Sequence, residues 1–174
     1  NNLVVYSLPS VVDGLSLAAS YASDGENDAG STAYGATYTG IEGLSLSFGK
    51  GSSKDAVNVD ADQTIMKVSY AYGPVTVGYS NNDYDHTTAN SDQEVKSYNI
   101  SYTLTDAISL SYGEETIEKV GTSSDIEVEG VSASYTSGGM TVAVKSVEAT
   151  NIDYSNTAAN NDNEMWKVAL TFAF

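Results

Sequence analysis

The chain contains no cysteine, so neither a disulfide framework nor a thiolate metal site is open to it. Basic residues are scarce: 7 Lys and Arg stand against 23 Asp and Glu, a formal net charge of -16. Binding nucleic acid by neutralising phosphates needs the opposite balance, which excludes that class of partner. No apolar run approaches the roughly 18 residues of a membrane-spanning helix, although 41% of the residues are hydrophobic. The apolar residues are instead dispersed among polar ones, which excludes a helical membrane protein and leaves a membrane barrel open. There is one histidine, His86, set among Asn82, Asp83 and Asp85. An acid–base site needs placed partners and a pocket, so His86 reads as a solvated loop residue. No catalytic residue and no cofactor is expected. No secretory leader is visible, and Asn1-Asn2-Leu3-Val4-Val5 is already strand-like.

What the chain has throughout is a period of two. Leu15, Leu17, Ala19 and Tyr21 alternate with Ser16, Ala18 and Ser20; Leu44, Leu46 and Phe48 with Ser45, Ser47 and Gly49. Met66, Val68, Tyr70 and Tyr72 alternate with Lys67, Ser69 and Ala71, and Tyr98, Ile100, Tyr102 and Leu104 with Asn99, Ser101 and Thr103. Successive side chains of a strand point to opposite faces, so each segment has one apolar and one small polar face. About eleven strands follow, at about 2–9, 14–23, 32–40, 44–51, 63–72, 75–82, 94–105, 108–115, 126–136, 140–149 and 163–174.

Their connections alternate in length. Val12-Asp13-Gly14, Gly40 to Gly43, Gly73-Pro74, Thr105-Asp106-Ala107 and Ser137-Gly138-Gly139 are short and carry hairpin turn residues. Between them lie longer links, at about 24–31, 51–62, 83–93, 116–125 and 150–162. Short turns at one end and long loops at the other are the plan of an outer-membrane barrel. Alternation also fits a soluble sandwich, but the polar face here carries Ser, Thr, Ala, Gly and Asn rather than the Lys and Glu of a solvated surface. The aromatics gather near strand ends, as interfacial girdles do. Tyr72, Tyr102, Tyr135, Phe172 and Phe174 lie toward the short turns; Tyr21, Tyr34, Tyr79, Tyr98, Tyr112 and Trp166 lie toward the long loops. The fold class expected is all-β, an antiparallel transmembrane β-barrel domain over residues 1–174.

Two stretches resemble the Gram-negative general porin family. The first is Trp166-Lys167-Val168-Ala169-Leu170-Thr171-Phe172-Ala173-Phe174. The second is Asn2-Leu3-Val4-Val5-Tyr6-Ser7-Leu8-Pro9 with Gly14-Leu15-Ser16-Leu17-Ala18-Ala19-Ser20-Tyr21. Family members often carry Arg where this chain has Val5. The resemblance implies that Trp166, Val168, Leu170, Phe172 and Phe174 form the signal read by the barrel-assembly machinery. It also implies a homotrimer in outer-membrane lipid and lipopolysaccharide, and a barrel of sixteen strands whose amino-terminal strands and inward constriction loop precede Asn1. The function it implies is an outer-membrane channel for passive diffusion of small hydrophilic solutes and ions.

By parity Lys67, Asn99, Lys145 and Lys167 point into the lumen, where charge tunes ion selectivity. The wall is then basic and the loop-bearing mouth acidic, and the mouth is expected to attract cations at low salt. Asp24-Gly25-Glu26-Asn27-Asp28, Asp60-Ala61-Asp62, Asp83-Tyr84-Asp85 and Asn161-Asp162-Asn163-Glu164 are oxygen-rich, but none has calcium-loop spacing, so no metal site is assigned. Glu127 and Glu129 share parity with lipid-facing Val131 and Tyr135. Either that strand has left the membrane by then, or a bulge at Gly130 shifts its register. The alternatives are an adhesin or structural barrel, an outer-membrane protease or phospholipase, and a soluble acidic β-protein that binds through its loops.

Overall fold

A computed structural model describes residues 2–9, 12–23, 29–54, 60–156 and 162–173. Eleven strands follow one another: β1 (Leu3–Leu8), β2 (Leu15–Ser23), β3 (Gly30–Tyr38), β4 (Leu44–Lys54), β5 (Asp60–Tyr72), β6 (Val75–His86), β7 (Gln93–Thr105), β8 (Ile108–Lys119), β9 (Ile126–Ser137), β10 (Met140–Thr150) and β11 (Asn163–Phe172). Each pairs antiparallel with the next, in a single sheet ordered β1 to β11. The expected fold class stands, with every expected strand in place.

The short turns follow from their residues. Gly138 and Gly139 both take positive φ, 57° and 82°, as a two-residue hairpin with the right-handed strand twist requires. The Asp106-Ala107 turn has no glycine. There the Thr105 Oγ1 accepts hydrogen bonds from the N–H groups of Ala107 (3.2 Å) and Ile108 (3.1 Å), and the ladder shifts register between Thr103 and Thr105. Gly43 closes the β3–β4 turn at φ 76°, and a Cβ there would lie 2.2 Å from the Ala71 carbonyl oxygen. Gly43→Ala is therefore expected to lower stability by about 1–3 kcal/mol, read as an earlier urea midpoint of the full-length protein refolded into lipid vesicles. An unchanged midpoint would mean that β5 yields at no expense.

Several strands run further into the long connections than alternation indicates. β4 continues to Lys54, β5 begins at Asp60, β6 reaches His86 and β8 reaches Lys119. The backbone ladder continues there, but both faces meet water, so nothing enforces a period of two. His86 is accordingly the last residue of β6 rather than a loop residue. Its N–H donates to Asp92 Oδ1 (2.8 Å), and its Nδ1 accepts from the Thr88 N–H (2.9 Å).

Residues opposed across neighbouring strands share a face, so the register traces rows across the sheet. One row reads Leu44, Tyr70, Val77, Ile100, Tyr112, Val131, Ser146, Trp166. The next row toward the long connections reads Leu46, Val68, Tyr79, Tyr98, Glu114, Glu129, Glu148, Glu164. On one face, a single row changes from apolar to acidic between β7 and β8. The reason is that the apolar band crosses the strands obliquely. Its upper edge falls at Tyr21 in β2, Tyr34 in β3, Phe48 in β4, Tyr79 in β6, Tyr98 in β7, Tyr112 in β8 and Trp166 in β11. From β2 to β11 that edge drops by about eight residues in register. This is roughly 27 Å of drift over roughly 43 Å of sheet, an inclination of about 30°, near the strand tilt of membrane barrels. β9 pairs with both neighbours through Gly130 without interruption. Glu127 and Glu129 therefore sit above the band, and the bulge is ruled out.

Among the described residues the sheet has no second layer. Among the described residues Ala29 is the one buried hydrophobic residue, while Tyr72, Val168 and Trp166 are 74%, 71% and 67% exposed. An apolar face this extensive and uncovered needs a non-aqueous neighbour. Among the described residues no helix is long and apolar enough to cross a membrane.

Candidate functional site: the polar face

The opposite face is built from small residues that pair across strands. Hydroxyl pairs join Thr37 with Ser47 (3.2 Å), Ser109 with Ser134 (2.7 Å), Ser111 with Ser132 (2.7 Å) and Thr136 with Thr141 (2.9 Å). Each pair satisfies part of its own hydrogen-bonding capacity and leaves the remainder to water. The four residues expected on this face all share it. Lys67 lies opposite Ser47 and Ser80, and Asn99 opposite Gly78 and Gly113. Lys145 lies directly opposite Lys167.

That last pairing is informative. Like charges directly opposed across an antiparallel pair destabilise it, so the sheet carries a local penalty to hold two ammonium groups at one level. Lys145 leans along β10, its Cε 3.9 Å from where a Cβ would stand on Gly130. Gly113 is paired with Gly130, so no side chain fills that position on either strand. A shallow hollow of about 540 Å³ results, with Asn99, Glu115 and Lys145 among its lining residues. Glu115 accepts a hydrogen bond from Ser97 Oγ (2.8 Å).

Charge is sorted between the faces. The seven basic residues are all lysine, and Lys67, Lys119, Lys145 and Lys167 have polar-face parity. Among the described strand residues, Glu115 is the one acid on that face. The other strand acids (Asp60, Asp62, Asp83, Asp85, Glu94, Glu114, Glu118, Glu127, Glu129, Glu148 and Glu164) have the parity of the apolar face, above its band. There Lys96 bridges Glu94 (2.9 Å) and Glu118 (2.8 Å). A chain of net charge -16 thus presents a basic polar face. Lys119 was missed because the strand was expected to end at 115, whereas β8 runs to Lys119; Glu115, the last residue of the expected strand, has polar-face parity but was not singled out.

The aromatic residues expected at the borders of the band, Tyr21, Tyr72, Tyr79, Tyr102, Tyr112, Tyr135, Trp166 and Phe172, all have apolar-face parity. At the upper edge their polar atoms meet acids. Trp166 Nε1 donates to Glu164 Oε1 (2.7 Å), and the Tyr112 hydroxyl lies between the carboxylates of Glu114 and Glu129. Trp166, Val168, Leu170 and Phe172 form one exposed apolar row along β11. Phe174 and the 24–28 acid cluster lie outside the described residues, as does Asn161. Among the described residues, no three His, Cys, Asp or Glu side chains are placed to hold a metal ion.

The family model described as Gram-negative porin matches residues 1–135. The chain belongs to the Gram-negative porin family. This membership places it in the bacterial outer membrane, the strands making the crossing. Solved porin structures share the fold. The anion-selective porin from Comamonas acidovorans superposes with a TM-score of 0.72 at 16% identity, over 99% of this chain and 56% of that one. For OpdO of Pseudomonas aeruginosa the values are 0.69 and 14%, over 95% and 56%. For the trimer form of OmpT, an outer membrane protein of Vibrio cholerae, they are 0.66 and 17%, over 98% and 64%. The chain spans 56% to 64% of the length of these three porins. No curated protein matches it.

Proposed function

We propose that these strands form part of the wall of a water-filled outer-membrane channel through which small hydrophilic solutes and ions diffuse passively. The observation that carries this reading is the sorting of the two faces. One is an inclined apolar band bordered by aromatic rings, suited to lipid. The other is a wetted surface of hydroxyls and lysines, suited to a lumen. Lys67, Asn99, Lys145 and Lys167 then line the pore, joined by Lys119 and Glu115. Transfer needs no bound intermediate, only pore width and the field of the wall.

Tyr21, Tyr79, Tyr112 and Trp166 form the upper girdle in this reading, and Tyr72, Tyr102, Tyr135 and Phe172 the lower one. The apolar row of β11 presents Trp166, Val168, Leu170 and Phe172 to the assembly machinery, with Phe174 completing the pattern in sequence. A homotrimer in lipid and lipopolysaccharide is part of the proposal, supported by the trimer form of the OmpT to which the chain is similar. An enzymatic role has little to build on, since the one histidine is engaged in the β6–β7 turn.

Full-length protein added to a planar bilayer is expected to produce discrete conductance steps. Protein that incorporates into the membrane but passes no current would overturn the channel reading and favour an adhesin or structural barrel.

A further inference from the structure

The connection between β10 and β11 does not stand upright from its own strands. Tyr154 reaches Gln93 at the start of β7 and Lys119 at the end of β8, two residues directly opposed on the polar face. Its hydroxyl accepts a hydrogen bond from Gln93 Nε2 (3.0 Å), and its ring lies 5.7 Å from Lys119 Nζ. The backbone is anchored as well. Ser123 Oγ donates to the Tyr154 carbonyl (3.1 Å), and Asn151 Nδ2 donates to the Asp125 carbonyl (3.1 Å). Residues 151–156 therefore cross the end of β9 and the β8–β9 connection to reach a strand three positions away, roughly 14 Å along the sheet.

The conformation is strained. The Tyr154 N–H donates to the Asn151 carbonyl (2.7 Å) in a tight turn, with Asn151 at φ 54° and Tyr154 at φ 56°. Asn tolerates the left-handed region; a bulky aromatic residue is uncommon there and persists only where its surroundings hold it. The contacts to Gln93, Lys119 and Ser123 are what hold it. Tyr154 is half-buried although it stands in a connection. Lys119 is seven residues beyond Tyr112, the upper edge of the band in β8. This puts the contact roughly 20 Å above the apolar band, on the polar face of the extended strand ends.

We propose that residues 151–156 form an entrance constriction of the channel, and that Tyr154 is its specificity-determining residue for anionic solutes. The ring narrows that entrance and covers Lys119, the cation that a solute meets first on the polar face. The ring, its centroid 5.7 Å from Nζ, takes up one side of the ammonium group and hinders the approach of carboxylates and inorganic anions. Solutes that compete for Lys119 must displace the ring, so anions entering from the long-loop side are slowed relative to cations of the same size. This inference rests on the channel reading and adds to it a named filter at the mouth.

The test uses full-length protein in planar bilayers under a salt gradient, with KCl as the probe. Tyr154→Gly removes the ring and relieves the positive φ, so folding is not endangered; Tyr154→Phe keeps the ring and loses only the bond to Gln93. Tyr154→Gly is expected to raise single-channel conductance by about 1.3- to 2-fold and to move the reversal potential toward anions. Tyr154→Phe is expected to stay near wild type. Adding Lys119→Gln to Tyr154→Gly should cancel the selectivity shift but not the gain in conductance, separating the two roles. Wild-type conductance steps accompanied by unchanged conductance and reversal potential in Tyr154→Gly overturn this inference alone. A wild type that inserts without conducting overturns both readings.

Discussion

Val144→Lys is expected to destabilise the full-length barrel by about 2–4 kcal/mol, while Glu148→Lys on the same strand and the same face changes stability by less than about 1 kcal/mol. The two positions are four residues apart, roughly 13 Å along the strand, yet meet different media. Val144 lies opposite Ala133 and Val168, in the middle of the apolar band where β9 to β11 carry it. Glu148 lies opposite Glu129 and Glu164, in the row that has already passed above the band. A lysine at Val144 must desolvate its ammonium group in hydrocarbon or stretch to an interface; a lysine at Glu148 meets water and the two opposed carboxylates of Glu129 and Glu164. Urea titration of protein refolded into phospholipid vesicles measures both. Equal losses at the two positions would mean that the band is not inclined as the register traces it.

Replacing Lys67, Lys145 and Lys167 together by Gln is expected to change the cation-to-anion permeability ratio by about tenfold or more. A unit charge about 6 Å from a permeant ion contributes about 0.7 kcal/mol even at the dielectric constant of water, roughly a factor of three for each lysine. The Lys145–Lys167 pair should dominate, because its two charges stand at one level of the wall. Salt separates this wall from the acidic connections and strand ends. At low ionic strength the mouth draws cations; as the Debye length falls from about 10 Å at 0.1 M to about 3 Å at 1 M, its reach shrinks while the lysines remain in contact with the ions that pass. The wild-type reversal potential should therefore drift toward anions as salt rises, and the triple variant should lose the drift. Strong anion preference already at low salt would refute a mouth-dominated field. A triple variant with the wild-type ratio would place these lysines off the ion path.

How much of this was legible in the sequence follows from where the alternation is enforced. Within the band most outward residues are apolar and most inward ones small or polar, so Leu44, Leu46 and Phe48 or Tyr98, Ile100 and Tyr102 announce both the strand and its faces. The same parity places Lys67, Asn99, Lys145 and Lys167 together on one face from the sequence alone. Above the band both faces are wet, and Thr116 to Lys119 or Asp60 to Asp62 read as loop although they continue the ladder. Lys119 and the true position of His86 were lost for that reason. The inclination itself was partly visible, since Glu127 and Glu129 break the pattern of β9. Its meaning needed the register, because only neighbouring strands show that Tyr98 and Glu114 stand at one level of the sheet. The path of residues 151–156 was beyond reach: no local pattern tells a connection to lean toward Gln93, and the strain at Tyr154 has no signature in sequence.

A wall one side chain thick, with one buried hydrophobic residue among those described, separates what evolution must keep from what it is free to vary. In a layered protein most substitutions in a binding surface disturb a core beneath it. Here Ser111, Ser132 or Lys145 has only backbone and the outer medium behind it. In the proposed channel, exchanging such residues alters the field and width of the passage while the lipid-facing set that makes the sheet stable is untouched. The solute preference of that proposed channel can then change without loss of the fold, a fold this chain shares with solved structures at identities of 14% to 17% and TM-scores of 0.66 to 0.72.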